Sequence, residues 1–151
     1  MTVKPLFPFL CLLMVCAWSA PAWSAANTQL QVRDGYVRGL PPGSANTSAY
    51  MILVNNSNED LVLICANTAA ANSVMIHNSV RQADGMMTME HVMSATIPAR
   101  GQLALKTGGM HLMLMGLKKP LRDGNSVNLT LQFAGGFVHN IDLPVVSVLN
   151  E

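Results

Sequence analysis

The sequence predicts an all-β domain, a sandwich or a barrel, after a short leader. Nine apolar or alternating runs recur roughly every 8–14 residues, separated by turns rich in Gly, Asn, Asp and Pro. Apolar residues make up 50% of the 151-residue chain and charged residues 11%, which argues against a disordered chain. The length suits one domain and is short for two.

The nine predicted strands follow one another with turn signals between them. They are residues 30–37, 48–54, 61–65, 73–80, 86–93, 102–106, 110–115, 127–133 and 138–148. Gly, Pro, Asn and Asp mark turns at 41–43, 55–58, 82–85 and 120–125. The run 61–65 is apolar throughout, which predicts burial on both sides. Only residues 66–71 have helical leanings, and that stretch is too short for a helix.

Residues 1–26 are predicted to be an export signal. A weakly positive start precedes an apolar core at 6–17, and small residues lead up to a cleavage position after Ala26. The apolar core is shorter than a membrane span requires. No lipoprotein signature precedes Cys11 or Cys16. We therefore expect an exported, periplasmic protein with no stable membrane insertion.

The mature chain predicted by that cleavage, residues 27–151, has no charge field for nucleic acid. The whole chain has a formal net charge of +1, and cleavage removes Lys4, which leaves the mature chain formally neutral. Cleavage also leaves Cys65 as the single Cys, which cannot form an internal disulfide. Its apolar neighbours predict a buried thiol that packs as a small hydrophobic group. We expect a monomer.

Two of the predicted strands place His and Met together on one face, because side chains two apart along a strand share a face. The predicted strand 86–93 carries Met87, Met89, His91 and Met93 on one face. The predicted strand 110–115 carries His111, Met113 and Met115 on one face. A Met stripe is more often packing than ligand, and a lone His is more often hydrogen-bonded than metal-bound. Packing does not explain why both His-bearing faces are also the Met-bearing ones.

Thioether and imidazole together favour Cu(I), because soft sulfur ligands select it and imidazole binds several copper states. Zinc more often recruits Cys or carboxylate, and calcium and magnesium need oxygen clusters that the sequence lacks. The predicted metal is therefore Cu(I), with Cu(II) as the alternative oxidation state.

The spacing of these residues resembles the signature of the PCuAC, or DUF461, periplasmic copper chaperones, H(M)-x10-M-x21-H-x-M. Here His77 and Asn78 are followed by ten residues and Met89, then by twenty-one residues and His111, with Met113 two positions later. Asn78 stands where some members have an optional Met. The stretch 108–117 and the opening at 36–50 also resemble the family.

The resemblance implies a cupredoxin-like, Greek-key β-sandwich that binds one Cu(I) per chain through His77, Met89, His111 and Met113. It implies delivery of copper to the CuA centre in subunit II of cytochrome c oxidase, alongside Sco-type thiol proteins. It assigns no role to His91, Met86, Met87 or Met93. A solvent-exposed strand histidine is our preferred interpretation of His91, and a secondary or transfer ligand is the alternative. Met110 and Met115 are candidates for shielding the copper.

Other function classes stay open at this point. A copper buffer or resistance protein would use the same residues, and a β-sandwich interaction module would need no metal. A blue-copper electron carrier needs a Cys thiolate among its ligands, and Cys65 has no His or Met nearby in sequence. An enzyme is disfavoured, because no nucleophile elbow, paired catalytic carboxylates or phosphate-binding Gly loop is present. His139, in the last predicted strand, is interpreted as structural.

Overall fold

The computed structural model describes residues 29–147, which form ten β-strands and one short 3-10 turn. The strands are β1 Leu30–Gly39, β2 Asn46–Asn55, β3 Leu61–Asn67, β4 Ala71–Arg81, β5 Met87–His91, β6 Ala95–Ile97, β7 Gln102–Leu105, β8 Met110–Leu117, β9 Ser126–Phe133 and β10 Val138–Ser147. The predicted leader, residues 1–26, lies outside the described residues. Within them no helix is long and apolar enough to cross a membrane.

The strands close into a β-barrel flattened as a sandwich, which confirms the predicted fold class. The hydrogen-bonded order is β5-β4-β8-β2-β1-β10-β9-β3-β6, and a further pairing of β3 with β4 closes the ring. Three short strands lie off this ring: β5 pairs with β4, β6 with β3 and β7 with β2. The β1–β10 pair is parallel. Because β4 and β8 are neighbours, residues distant in sequence meet in register.

The core forms because apolar residues alternate with polar ones along most strands. In β9 the inward side chains are buried while those between them are exposed or half-buried. These inward residues are Val127, Leu129, Leu131 and Phe133. In β8 the inward residues are Leu112 and Leu114, both fully buried. The alternation leaves His111 and Met113 on the opposite face of β8, away from the main core.

Two predictions about the third strand are wrong. The run 61–65 is not buried on both sides, because the register against β9 shifts between Leu63 and Cys65 and leaves Ile64 48% exposed. Cys65 is half-buried and not fully buried, and its sulfur lies 3.6 Å from Asn67 Nδ2 and 3.8 Å from the Ala66 carbonyl. The stretch 66–71 contains the end of β3 and a turn.

Strand boundaries differ from the prediction mainly between the fourth and sixth runs. The run 86–93 forms a strand only at Met87–His91, so Met93 lies beyond it. The short strand β6 was missed, because three residues carry too little periodicity to detect.

A buried amide connects the end of β2 to the loops that flank β6. Asn55 is 1% exposed, and the two N–H groups of its Nδ2 are shared among the carbonyls of Glu59, Ile97 and Pro98, at 2.7–3.1 Å. Its Oδ1 accepts from the backbone N–H of Ser57 at 2.9 Å and from the Ser57 hydroxyl at 2.7 Å. A buried amide with this many partners fixes the ends of β2 and β6 relative to each other.

Candidate metal site

Three histidines form a row across neighbouring strands on one face of the sheet. His77 on β4 is the direct cross-strand partner of His91 on β5 and of His111 on β8. The ring centroids of both pairs are 6.0 Å apart, with interplanar angles of 83° and 76°. On the next strand, the ring of Tyr50 continues the row at 6.1 Å from His111. Two of the four predicted ligands, His77 and His111, are therefore side by side.

His111 offers a buried ring nitrogen that has no hydrogen-bond partner. The residue is 3% exposed, and its Nδ1 lies 3.0 Å from the Gly109 carbonyl oxygen. A carbonyl only accepts, so Nδ1 carries the proton and Nε2 holds the lone pair. That Nε2 is buried and unpartnered. An imidazole oriented by a backbone carbonyl through one nitrogen, with the other left free, is the usual arrangement of a metal ligand.

His77, on the neighbouring strand β4, also has a ring nitrogen without a hydrogen-bond partner. This atom, Nδ1, is buried. The pKa of His77 is lowered from its ordinary value, first by burial and then by the charges that His111 and His91 would carry when protonated. A lowered pKa keeps this imidazole neutral, which is the form that binds metal.

Met113 lies two residues after His111 on β8, on the same face of the sheet. It is half-buried on β8, directly opposite Met75 on β4 and Ser48 on β2. Met75 is 38% exposed and shares the face of His77, two residues away. Sequence reasoning missed Met75 as a member of the site, although its period-two spacing from His77 carried the signal.

Met89 lies on the other side of the His pair. Its cross-strand partner is Ser79, whereas Met113 is opposite Met75, and those two β4 positions are about 13 Å apart at 3.3 Å per residue. The structure therefore brings the two His together and places the two Met on opposite sides of them. Met89 is 60% exposed on the β4–β5 hairpin, so its long, flexible side chain is free to lean toward the imidazoles.

The remaining candidates, Met115, Met110 and His139, differ in the strand face that they occupy and in their distance from the row of histidines. Met115 shares the face of Met113, one further step from His111. Met110 packs against the hydrophobic core on the other face of β8, and its shielding role stays a prediction. His139 lies on β10 beside Phe137, at 6.3 Å between ring centroids. Burial lowers the pKa of His139.

The β4–β5 hairpin exposes several large thioethers to solvent. The most exposed are Met86, Met87, Met89 and Met93, each at least half exposed. Of these, Met87 and Met89 share the face of His91, which is exposed as well. Residues 29–147 hold no group of three or more His, Cys, Asp or Glu side chains placed around one point. The donors that this face offers are imidazoles and thioethers.

This donor set fits a soft monovalent ion. Two ring nitrogens, His77 Nδ1 and His111 Nε2, are buried without a hydrogen-bond partner, uncharged sulfur lies on both sides of the His pair, and no carboxylate of residues 29–147 joins the row. Neutral sulfur and nitrogen ligands suit Cu(I) better than zinc, calcium or magnesium. The arrangement can hold such an ion at the boundary between a buried His and an exposed hairpin.

Comparison with known proteins places the chain in a family. The LpqE-like family model, described as "Putative lipoprotein LpqE-like", matches residues 30–145. A protein of Leifsonia xyli subsp. xyli (strain CTCB07), "Putative lipoprotein Lxx21020", is 35% identical over 117 residues, which are 77% of this chain and 69% of the relative.

Solved structures agree with this placement. The solution structure of CuI-DR1885 from Deinococcus radiodurans is 39% identical with a TM-score of 0.61, and the match covers 82% of this chain and 84% of that one. The copper-bound PCuAC domain from PmoF2 is 22% identical with a TM-score of 0.66, over 79% and 93% of the two chains, and this likeness concerns the fold alone. The chain belongs to the LpqE-like family and has the PCuAC fold, as its His and Met spacing predicted.

Proposed function

We propose that this protein is a periplasmic copper chaperone that binds one Cu(I) through His77, Met89, His111 and Met113. The observation that carries the proposal is the buried, unpartnered Nε2 of His111 next to His77. Leaving a polar atom buried without a partner costs about 1–3 kcal/mol, a cost that a bound ion would remove. The copper-loaded relative from Deinococcus radiodurans supports the choice of metal.

The ligands suit carriage of the ion rather than catalysis. Cu(I) has a filled d shell, so it imposes little geometry and can pass from one ligand set to another by stepwise exchange. The site reaches the exposed hairpin through Met89, which gives an acceptor protein access to the ion. Export is part of the proposal, and the lipoprotein names of the family and of the Leifsonia relative agree with it.

The site is tested by Cu(I) titration against a chromophoric chelator under reducing conditions. We expect Met113→Leu and Met89→Leu each to weaken the affinity at least about tenfold, because even ligand-supporting groups contribute about 10–100-fold in metal sites. Met115→Leu and Met87→Leu are matched controls, since each lies one step further along the same strand face. Equal affinity in all four variants would contradict the ligand set.

The acceptor that we propose is the CuA centre of cytochrome c oxidase subunit II, with Sco-type thiol proteins as partners. A chaperone hands over its ion in a complex, whereas a copper buffer releases it to solvent. The test mixes the Cu(I)-loaded protein with the metal-free CuA domain, with and without a Sco-type protein. A transfer rate that rises with acceptor concentration supports a chaperone, and a rate that equals dissociation into chelator supports a buffer.

A further inference from the structure

The row of imidazoles contains two metal-sized gaps, and only one of them belongs to the proposed cargo site. The ring centroid of His77 lies 6.0 Å from that of His111 on one side and 6.0 Å from that of His91 on the other. An imidazole centroid lies about 3 Å from a metal bound to its ring nitrogen, given a metal–nitrogen distance near 2 Å. Each gap is therefore wide enough for one ion between two rings.

The second gap has a thioether of its own. Met89 is two residues before His91 on the same face of β5, and it lies beside Ser79, one step from His77. Its register places it nearer to the His77–His91 pair than to His111, which is a strand further away. The three side chains thus supply two nitrogens and one sulfur on the hairpin side of the row.

Exposure changes steeply along the row. His91 is exposed and Met89 is 60% exposed, whereas His111 is 3% exposed. The hairpin strand β5 ends the sheet order, so its outer edge has no strand partner among residues 29–147. An ion between His91 and His77 would be accessible to another molecule, and one between His77 and His111 would be less exposed, reached only from the side of Met89.

From these features we infer that His77, Met89 and His91 form an outer Cu(I) position through which the ion enters and leaves. This inference rests on the proposed function and deepens it. Moving inward, the ion keeps His77 and Met89, breaks its bond to His91 and forms one to His111, with Met113 completing the set. Copper remains Cu(I), no electron moves, and both imidazoles are neutral before and after the exchange. Because both positions use His77, the chain binds one ion at a time.

The test removes the inner position and asks whether the outer one still binds Cu(I). His111→Phe fills the buried space, and His91→Ala changes an exposed residue, so both variants should fold. The probe is Cu(I) held by a chromophoric chelator, with affinity and X-ray absorption as readouts. We expect His111→Phe to retain Cu(I) with one sulfur and two nitrogen ligands. Adding His91→Ala should weaken it at least about tenfold further.

The control combines His111→Phe with His139→Ala, which removes a remote His on β10 and should leave the residual affinity unchanged. If the His111→Phe variant and the His111→Phe/His91→Ala double variant bind Cu(I) with equal affinity, the outer position is refuted. Cu(I) binding by the wild type would still support the proposed function. If the wild type does not bind Cu(I), the proposed function and the outer position are both refuted. In the otherwise wild-type protein, His91→Ala should slow Cu(I) release to the chelator, and an unchanged release rate counts against the inference.

Discussion

Replacing His111 by Phe should separate stability from copper binding. In the copper-free protein the change removes the buried, unpartnered Nε2, which costs about 1–3 kcal/mol, and loses the Nδ1–H bond to Gly109, which contributes about 0.5–1.5 kcal/mol. The Gly109 carbonyl keeps a partner, because the backbone N–H of Ser79 also donates to it at 3.1 Å. The aromatic ring still packs beside Tyr50. We expect His111→Phe to be about 1 kcal/mol more stable than the wild type without copper.

In the presence of copper, the wild type should be more stable than His111→Phe. Free Cu(I) at a thousand times the dissociation constant stabilises a folded protein by about 4 kcal/mol. If His111→Phe weakens binding about a hundredfold, the same free Cu(I) stabilises the variant by only about 1.4 kcal/mol. The wild type would then be the more stable of the two by more than 1 kcal/mol.

The assay is urea unfolding under reducing conditions, with and without buffered Cu(I), followed by far-UV circular dichroism. His139→Phe is the control, because it changes a half-buried His beside Phe137 and should leave the copper effect intact. A loss of more than 2 kcal/mol in copper-free His111→Phe would refute the reasoning, since it would show that Nε2 is well satisfied. Equal stabilisation of both proteins by copper would refute the role of His111 as a ligand.

Three further predictions concern pH and the scaffold. Because the pKa of His77 is lowered on folding, the unfolded chain binds the extra proton first, so the free energy of unfolding should fall as pH drops below about 6.5. In urea titrations at several pH values, His77→Gln should flatten that dependence, and an unchanged slope would contradict it. Asn55→Ala should lower the free energy of unfolding by about 1–3 kcal/mol, because buried carbonyls lose their donor, without changing Cu(I) affinity. Gly116→Ala should lower the free energy of unfolding by about 1–2 kcal/mol or more, because φ is +67° and the new Cβ would lie 2.5 Å from Asn72 Nδ2. Chemical denaturation measures the stability of the Asn55→Ala and Gly116→Ala variants. Wild-type stability in either variant would contradict the reason given for that variant.

The sequence by itself was enough for the all-β class and for the positions of most strands. Alternation between inward and outward side chains is a local property, so it shows in the residues of each strand, as in β9. It failed where packing overrode the local pattern, at the shifted register beside Cys65 and in the short strand β6. The spacing of His77, Met89, His111 and Met113 also predicted the family that the comparisons show.

Tertiary structure alone decided which of these residues are neighbours. Strand order and register put His77 between His91 and His111, set Met89 and Met113 on opposite sides of that row, and brought Met75 beside Met113. These relations depend on pairings between strands far apart in the chain, which local periodicity does not encode. Burial likewise left Nε2 of His111 without a partner, because the surrounding strands exclude water from one ring nitrogen while the Gly109 carbonyl holds the other.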